Sequence, residues 1–372
     1  MKTRIFIAVF SLTLLLGTEL LAKDDVSALY QKVDDFIALR DKLATTSANS
    51  SGWDWIPFFE PTGKTGIQND INEYLDQTLA ILLDDAAIKT KEKINQLAAE
   101  NRELVEKIAQ YELAKPSAPT EGHKLTFWKT SVSQYDDKIA DANKKIDANN
   151  LEIAKKRTEI KDNLAKSNIY LTEDQIKTLL ITVSGQDQLD ALVALKNLYS
   201  LADTLKNLIG STKNLIVYKK YYGVFLLATE AHEHQLSQFL RRIKEKYLPK
   251  LKTLKEDNLA LMAETKALAA NNPIYSNNLA AQKVTDVVAD KYRDLLISQR
   301  QNLETRLKAL NEVLKYVDNT YRTVNLAANL ATSLEEGINT LKAILETPIL
   351  PPVAFENNLE ATFLELSEKI AQ

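Results

Sequence analysis

One stretch constrains this chain more than any other. Between about Leu279 and Leu345 the apolar side chains alternate four and three residues apart. From Leu303 they run Leu307, Leu310, Leu314, Val317, Tyr321, Val324, Ala328 and Ala331. That is the a/d heptad signature of a helix packed along a seam. The stretch holds no proline and a single glycine, Gly337. At a rise of 1.5 Å per residue, one helix of that extent is roughly 100 Å long. An isolated helix gains too little to hold such a stripe in water, so a partner helix of similar length must cover it.

The rest of the chain is built for the same architecture. Nine glycines and nine prolines in 372 residues are few, so connections are few and helices long. The expected fold is all-α: an elongated antiparallel bundle of long helices with coiled-coil character and one projecting helical hairpin. There is no cysteine, which removes disulfides, thiolate metal sites, thiol nucleophiles and an acylated lipoprotein cysteine. A formal net charge of −3 lacks the electrostatic footprint of a nucleic-acid binder.

Residues 1–22 read as a secretory signal peptide. Lys2 and Arg4 form the charged start, Ile5 to Gly17 the apolar centre, and Leu20-Leu21-Ala22 the cleavage end. The apolar run is short for a bilayer span, and Glu19 interrupts it. The expected mature protein is periplasmic or secreted, able to contact a membrane without spanning one.

Residues 23–66 read as an amphipathic helix followed by an aromatic loop. In that loop Trp53, Trp55, Phe58 and Phe59 crowd together, and Pro57 and Pro61 deny helical continuation. Such rings either plug the end of a bundle or dock a partner. Gly63-Lys64-Thr65 is no phosphate loop, because position 58 is Phe where the motif needs glycine and no strand precedes it.

Residues 67–168 read as the hairpin. One helical pattern runs from Ile67 to about Leu113, with Ile94, Leu97, Asn101, Leu104, Ile108 and Tyr111 on its later seam. A break from Ala114 to Thr130 carries Pro116, Pro119 and Gly122, with Phe127 and Trp128 at the tip. Ile139, Ile146, Ile153 and Ile160 then repeat every seven residues, interleaved with Ala142, Asn149 and Lys156. An Asn on a seam sets register at a cost in stability.

Residues 169–347 read as the main bundle. Thr172-Glu173-Asp174-Gln175 is a capping box. Gln186 to Ile209 is leucine-dense around much of its circumference and is expected to be the most buried helix. A long helix from about Thr212 to Ala270 is expected to kink at Pro249, and Asn271-Asn272-Pro273 turns the chain. Residues 348–372 hold Pro348, Pro351 and Pro352, then a short amphipathic helix through Phe355, Leu359, Phe363, Leu366 and Ile370.

Candidate chemistry is sparse. In His232-Glu233-His234 the two histidines point about 200° apart on a helix, so they cannot share a metal, and solvated side chains are expected. Tyr218, Tyr221, Tyr222 and Phe225 are expected to pack in a core. Adjacent carboxylates such as Asp84-Asp85 diverge on a helix and read as solvated. No cofactor, metal or catalytic residue is expected. The functional expectation is an exported, non-enzymatic scaffold or adaptor in an envelope assembly. Its partners would be envelope proteins, with homo-oligomers through the heptad seams a further option. The expected contact residues are Trp53, Trp55, Phe58, Phe59, Phe127 and Trp128. The alternatives are a pore-forming-toxin-like membrane-active protein and a periplasmic holding chaperone.

Overall fold

A computed structural model describes residues 23–47, 65–83, 85–119, 130–166, 169–211, 215–270, 272–322, 337–345 and 359–372. Within them the regular structure is helical throughout, with no strand. The elements are α1 (Lys23–Ser47), α2 (Thr65–Leu82), α3 (Ala86–Ala114) and α4 (Val132–Ala165). There follow α5 (Glu173–Ile181), α6 (Gly185–Ser211), α7 (Leu215–Arg242), α8 (Leu248–Ala269), α9 (Ser276–Arg322) and α10 (Leu359–Ala371). Residues 337–345 are also helical. The all-α expectation holds. Among the described residues no helix is long and apolar enough to cross a membrane.

The chain divides into two compact units. The first comprises the described parts of Met1–Leu82, Asn197–His232 and Leu310–Lys342. In it α1 packs on α2, and α7 comes so close to α1 that a Cβ on Gly223 would lie 2.9 Å from Val33 Cγ1. Every residue from 221 to 229 is buried. Of the tyrosine patch, Tyr221, Tyr222 and Phe225 are buried core, while Tyr218 is half-buried.

The second unit comprises the described parts of Leu83–Lys196, Glu233–Ala309 and Ala343–Gln372. Its core gathers aliphatic side chains of α3, α4, α5 and α6, among them Ile94, Ile160, Leu179 and Leu192. The single helical pattern expected from Ile67 to Leu113 is in fact two helices. Asp85 ends the first by capping α3, accepting the Ala87 N–H at 2.7 Å. Its other oxygen accepts from Lys196 at 2.8 Å, so Asp85 is far from the solvated carboxylate expected. An N-cap inside a continuous apolar pattern leaves the periodicity intact on both sides, which is why periodicity alone passes over it.

Two antiparallel hairpins belong to this unit. In the first, α3 runs into a 3₁₀ turn at Lys115–Ser117, and a Ser131/Gln134 capping box starts α4. Their seam carries the predicted asparagines: Asn149 Nδ2 donates to Asn101 Oδ1 at 2.9 Å and to Glu100 Oε2 at 3.1 Å. Asn101 Nδ2 donates in turn to Asn150 Oδ1 at 3.0 Å. In the second, α8 turns through Pro273–Tyr275 into α9. Asn258 Nδ2 donates to the Gln282 carbonyl and Gln282 Nε2 to Thr265 Oγ1, both at 2.9 Å. Lys255 reaches Asp290 at 2.5 Å.

The described helix α9 is 47 residues long, about 70 Å at helical rise. Its buried stripe is Tyr292, Leu296, Gln299, Leu303, Arg306, Leu310, Val313, Val317 and Thr320. These alternate four and three without interruption. Leu303, Leu310 and Val317 stand where the heptads place them. At the intervening positions Leu307 is buried beside Arg306, while Val313 and Thr320 take the seam places that the heptads assign to Leu314 and Tyr321, both half-buried. Val324, Ala328 and Ala331 lie outside the described residues.

Candidate functional site

A polar cluster of the second unit sits at the start of α6, where a turn between α5 and α6 forces close backbone packing. A Cβ on Gly185 would lie 2.0 Å from the Leu179 carbonyl oxygen, so only glycine opens α6 here. Two residues on, Asp187 is gripped from the end of α7. Arg242 Nε donates to Oδ2 at 3.1 Å and Nη2 to Oδ1 at 2.8 Å, a bidentate fork. Tyr247 Oη donates to Oδ2 at 2.9 Å.

In an α-helix, residues five apart point about 140° apart. Arg242 and Tyr247 reach one carboxylate because residues Ile243–Tyr247 form a π-helical turn, closed by the Leu248 N–H on the Ile243 carbonyl. Pro249 follows directly, without an N–H to donate and with a ring that crowds the carbonyl four residues back. The expected disturbance at Pro249 thus takes the form of one wide turn that aligns two side chains.

Beside this clamp, Gln186 Nε2 donates to Asp190 Oδ1 at 2.6 Å, and burial pushes the Asp190 carboxyl up to about 6. Lys91 of α3 is 3% exposed. Burial draws its ammonium down to about 7, against the pull of Asp190 and Asp187. Burial, and then the neighbouring Asp187, raises the Tyr247 phenol as well.

A hydroxyl relay ties α10 to the same unit. The Val183 N–H donates to Tyr292 Oη at 2.6 Å, and Tyr292 Oη meets Ser367 Oγ at 2.7 Å. Ser367 Oγ lies 2.6 Å from the Ile181 carbonyl oxygen, which accepts from it. The first unit holds its own buried ion cluster. Arg40 lies 3.1 Å from both Glu230 and Asp318, and Arg322 lies 3.0 Å from the latter. Burial raises the Glu230 carboxyl, with Arg40 opposing.

Chemically, these groups are committed to one another. The clamp fixes α7 to α6, the relay fixes α10, and the Arg40 cluster joins three helices of the first unit. None of these three sets presents a nucleophile hydrogen-bonded to a base. Among the described residues no three His, Asp or Glu side chains gather as a metal ion requires.

The solvated reading of His232-Glu233-His234 is corrected: His232 and Glu233 are buried, and only His234 is half-buried. The helix there is enclosed on nearly every side, and residue polarity does not report that. Glu230 pairs with Arg40. The expected contact residues Trp53, Trp55, Phe58, Phe59, Phe127 and Trp128 lie outside the described residues. The Asp187 clamp went unread in the sequence, and its one signal was Pro249. No protein-family model, curated protein or solved structure matches this chain.

Proposed function

We propose that this chain is an exported, non-enzymatic interaction protein, a periplasmic helical scaffold or adaptor in an envelope assembly. One observation carries the reading. The second hairpin keeps Lys255, Asn258, Thr265, Gln282 and Asp290 along its contact line, while Leu261, Leu268, Ile274, Val284 and Val287 face solvent. Exposed aliphatic side chains on a hairpin held together by polar contacts suit docking to another protein. Long helices then act by spacing such surfaces apart, which needs no chemistry. The aromatic residues at 53–59 and 127–128 supply further anchors under this reading.

The test begins with the mature N-terminus, read by mass spectrometry in the periplasmic fraction. A chain starting at Lys23 supports export, and an intact Met1 in the cytoplasm overturns it. Photo-crosslinking in cells follows, from a photoreactive aromatic residue at position 55 and, separately, at 261. A discrete adduct with one envelope protein, weakened by Leu268→Ser, supports docking. Adducts confined to this chain at both positions overturn it.

A further inference from the structure

In the second unit, α6, α7 and α9 enclose a cavity of ≈ 20 Å³ lined by Gln188, Leu192, Phe239, Gln299, Asn302 and Arg306, among others. Gln188 and Gln299 are each 2% exposed. In both, the amide nitrogen and the amide oxygen make no hydrogen bond among the described residues. A buried polar atom left unpaired is costly, and four such atoms bordering one cavity would offset much of a domain's net stability. Gln299 moreover occupies a place on the α9 seam where a leucine would serve packing better.

We propose that Gln188 and Gln299 form a built hydration site, holding a fixed water that bridges α6 to α9. The ligand is identified by what the two amides demand, since they offer donors and acceptors together. A halide accepts only and would leave both Oε1 atoms bare. An ammonium-like cation donates only, and it would sit beside the Arg306 guanidinium, whose pKa burial lowers only to about 10. Water does both, and it needs about 10–15 Å³, so the cavity accepts one. The consequence is register. A heptad slip of α9 would set Gln299 against apolar surface and strand both amides, as seam asparagines do in coiled coils.

A crystal structure of the full chain, grown in bromide buffer and read for anomalous scattering, tests this directly. The expected result is a peak without anomalous signal, about 2.7–3.2 Å from both amides. A bromide peak, or a dry cavity with the two amides paired directly, overturns the proposal. Thermal unfolding supplies a second arm. Gln188→Leu and Gln299→Leu should each lower Tm by about 2–4 °C, and the double variant should recover most of that loss. Losses that simply add would mean that no shared water couples the two residues.

Discussion

The two hairpins of the second unit carry the same heptad signal and use it differently. In the α3–α4 pair, Ile94, Leu97, Ile153 and Ile160 are buried and continuous with the core, and a single asparagine layer closes that run on the side of the turn. In the α8–α9 pair, polar side chains hold much of the contact line, while Leu261 and Leu268 are 51% and 50% exposed. The first hairpin is therefore anchored by burial, the second by hydrogen bonds and an ion pair. Four- and three-residue spacing says that a helix has a stripe. Which flank of that stripe is covered depends on the partner helix.

That contrast predicts a graded set of effects, each measured by chemical or thermal unfolding of the full chain. Ile160→Ala, which empties a site only 1% exposed, should cost about 2–5 kcal/mol. A cost under about 1 kcal/mol would mean that the first hairpin is not anchored by burial.

Lys91→Met, at the root of the same hairpin, should instead stabilise by about 1–4 kcal/mol at pH 6. The sign follows from linkage. With a folded-state pKa of about 7 against an ordinary 10.5, Lys91 is charged below pH 7 in both states, and the full cost of burying that charge is present. Between pH 7 and 10.5 the unfolded chain binds more protons, so the native protein gains stability as pH rises. The advantage of the Lys91→Met variant should therefore shrink from about pH 7 upward. A gain that is flat in pH would sink this account.

Asn149→Ala should cost about 1 kcal/mol, since it strips a partner from both Asn101 and Glu100. Gln282→Ala in the second hairpin should cost no more than about half of that, because its surroundings are half-exposed and water replaces what is lost. Equal costs would erase the distinction between the two seams. Smallest of all, Leu261→Ser should stay within about 0.5 kcal/mol, which makes it a clean probe of docking. A large loss would show that this flank is covered in the folded chain.

The helices were legible in the sequence because periodicity, capping boxes and proline breaks are local. The asparagine layer was legible too, since Asn101 and Asn149 stand where the heptads leave a gap. What escaped depended on partners far along the chain. The α9 seam reads one residue late at Val313 and Thr320, and it passes over Gln299 and Arg306 because they are polar. Lys91, His232 and Glu233 are polar as well, yet other helices enclose them. Of the polar cluster at the start of α6, only Pro249 gave a sign, since Arg242 and Tyr247 share a face only when the turn between them is wide.

That wide turn also sets the phase of everything after it. One surplus residue in Ile243–Tyr247 rotates α8 by about 100° relative to an uninterrupted α-helix. The faces of α8 are thus assigned by a residue count upstream rather than by the composition of α8 itself. Replacing Pro249 with Ala at unchanged chain length would let the ladder close in ordinary α-helical steps. The strip holding Asn258 and Thr265 would then swing away from α9, leaving its contact line to a different set of side chains. Deleting Lys244 as well would take out the surplus residue, so that the screw thread closes in phase and the strip faces α9 again.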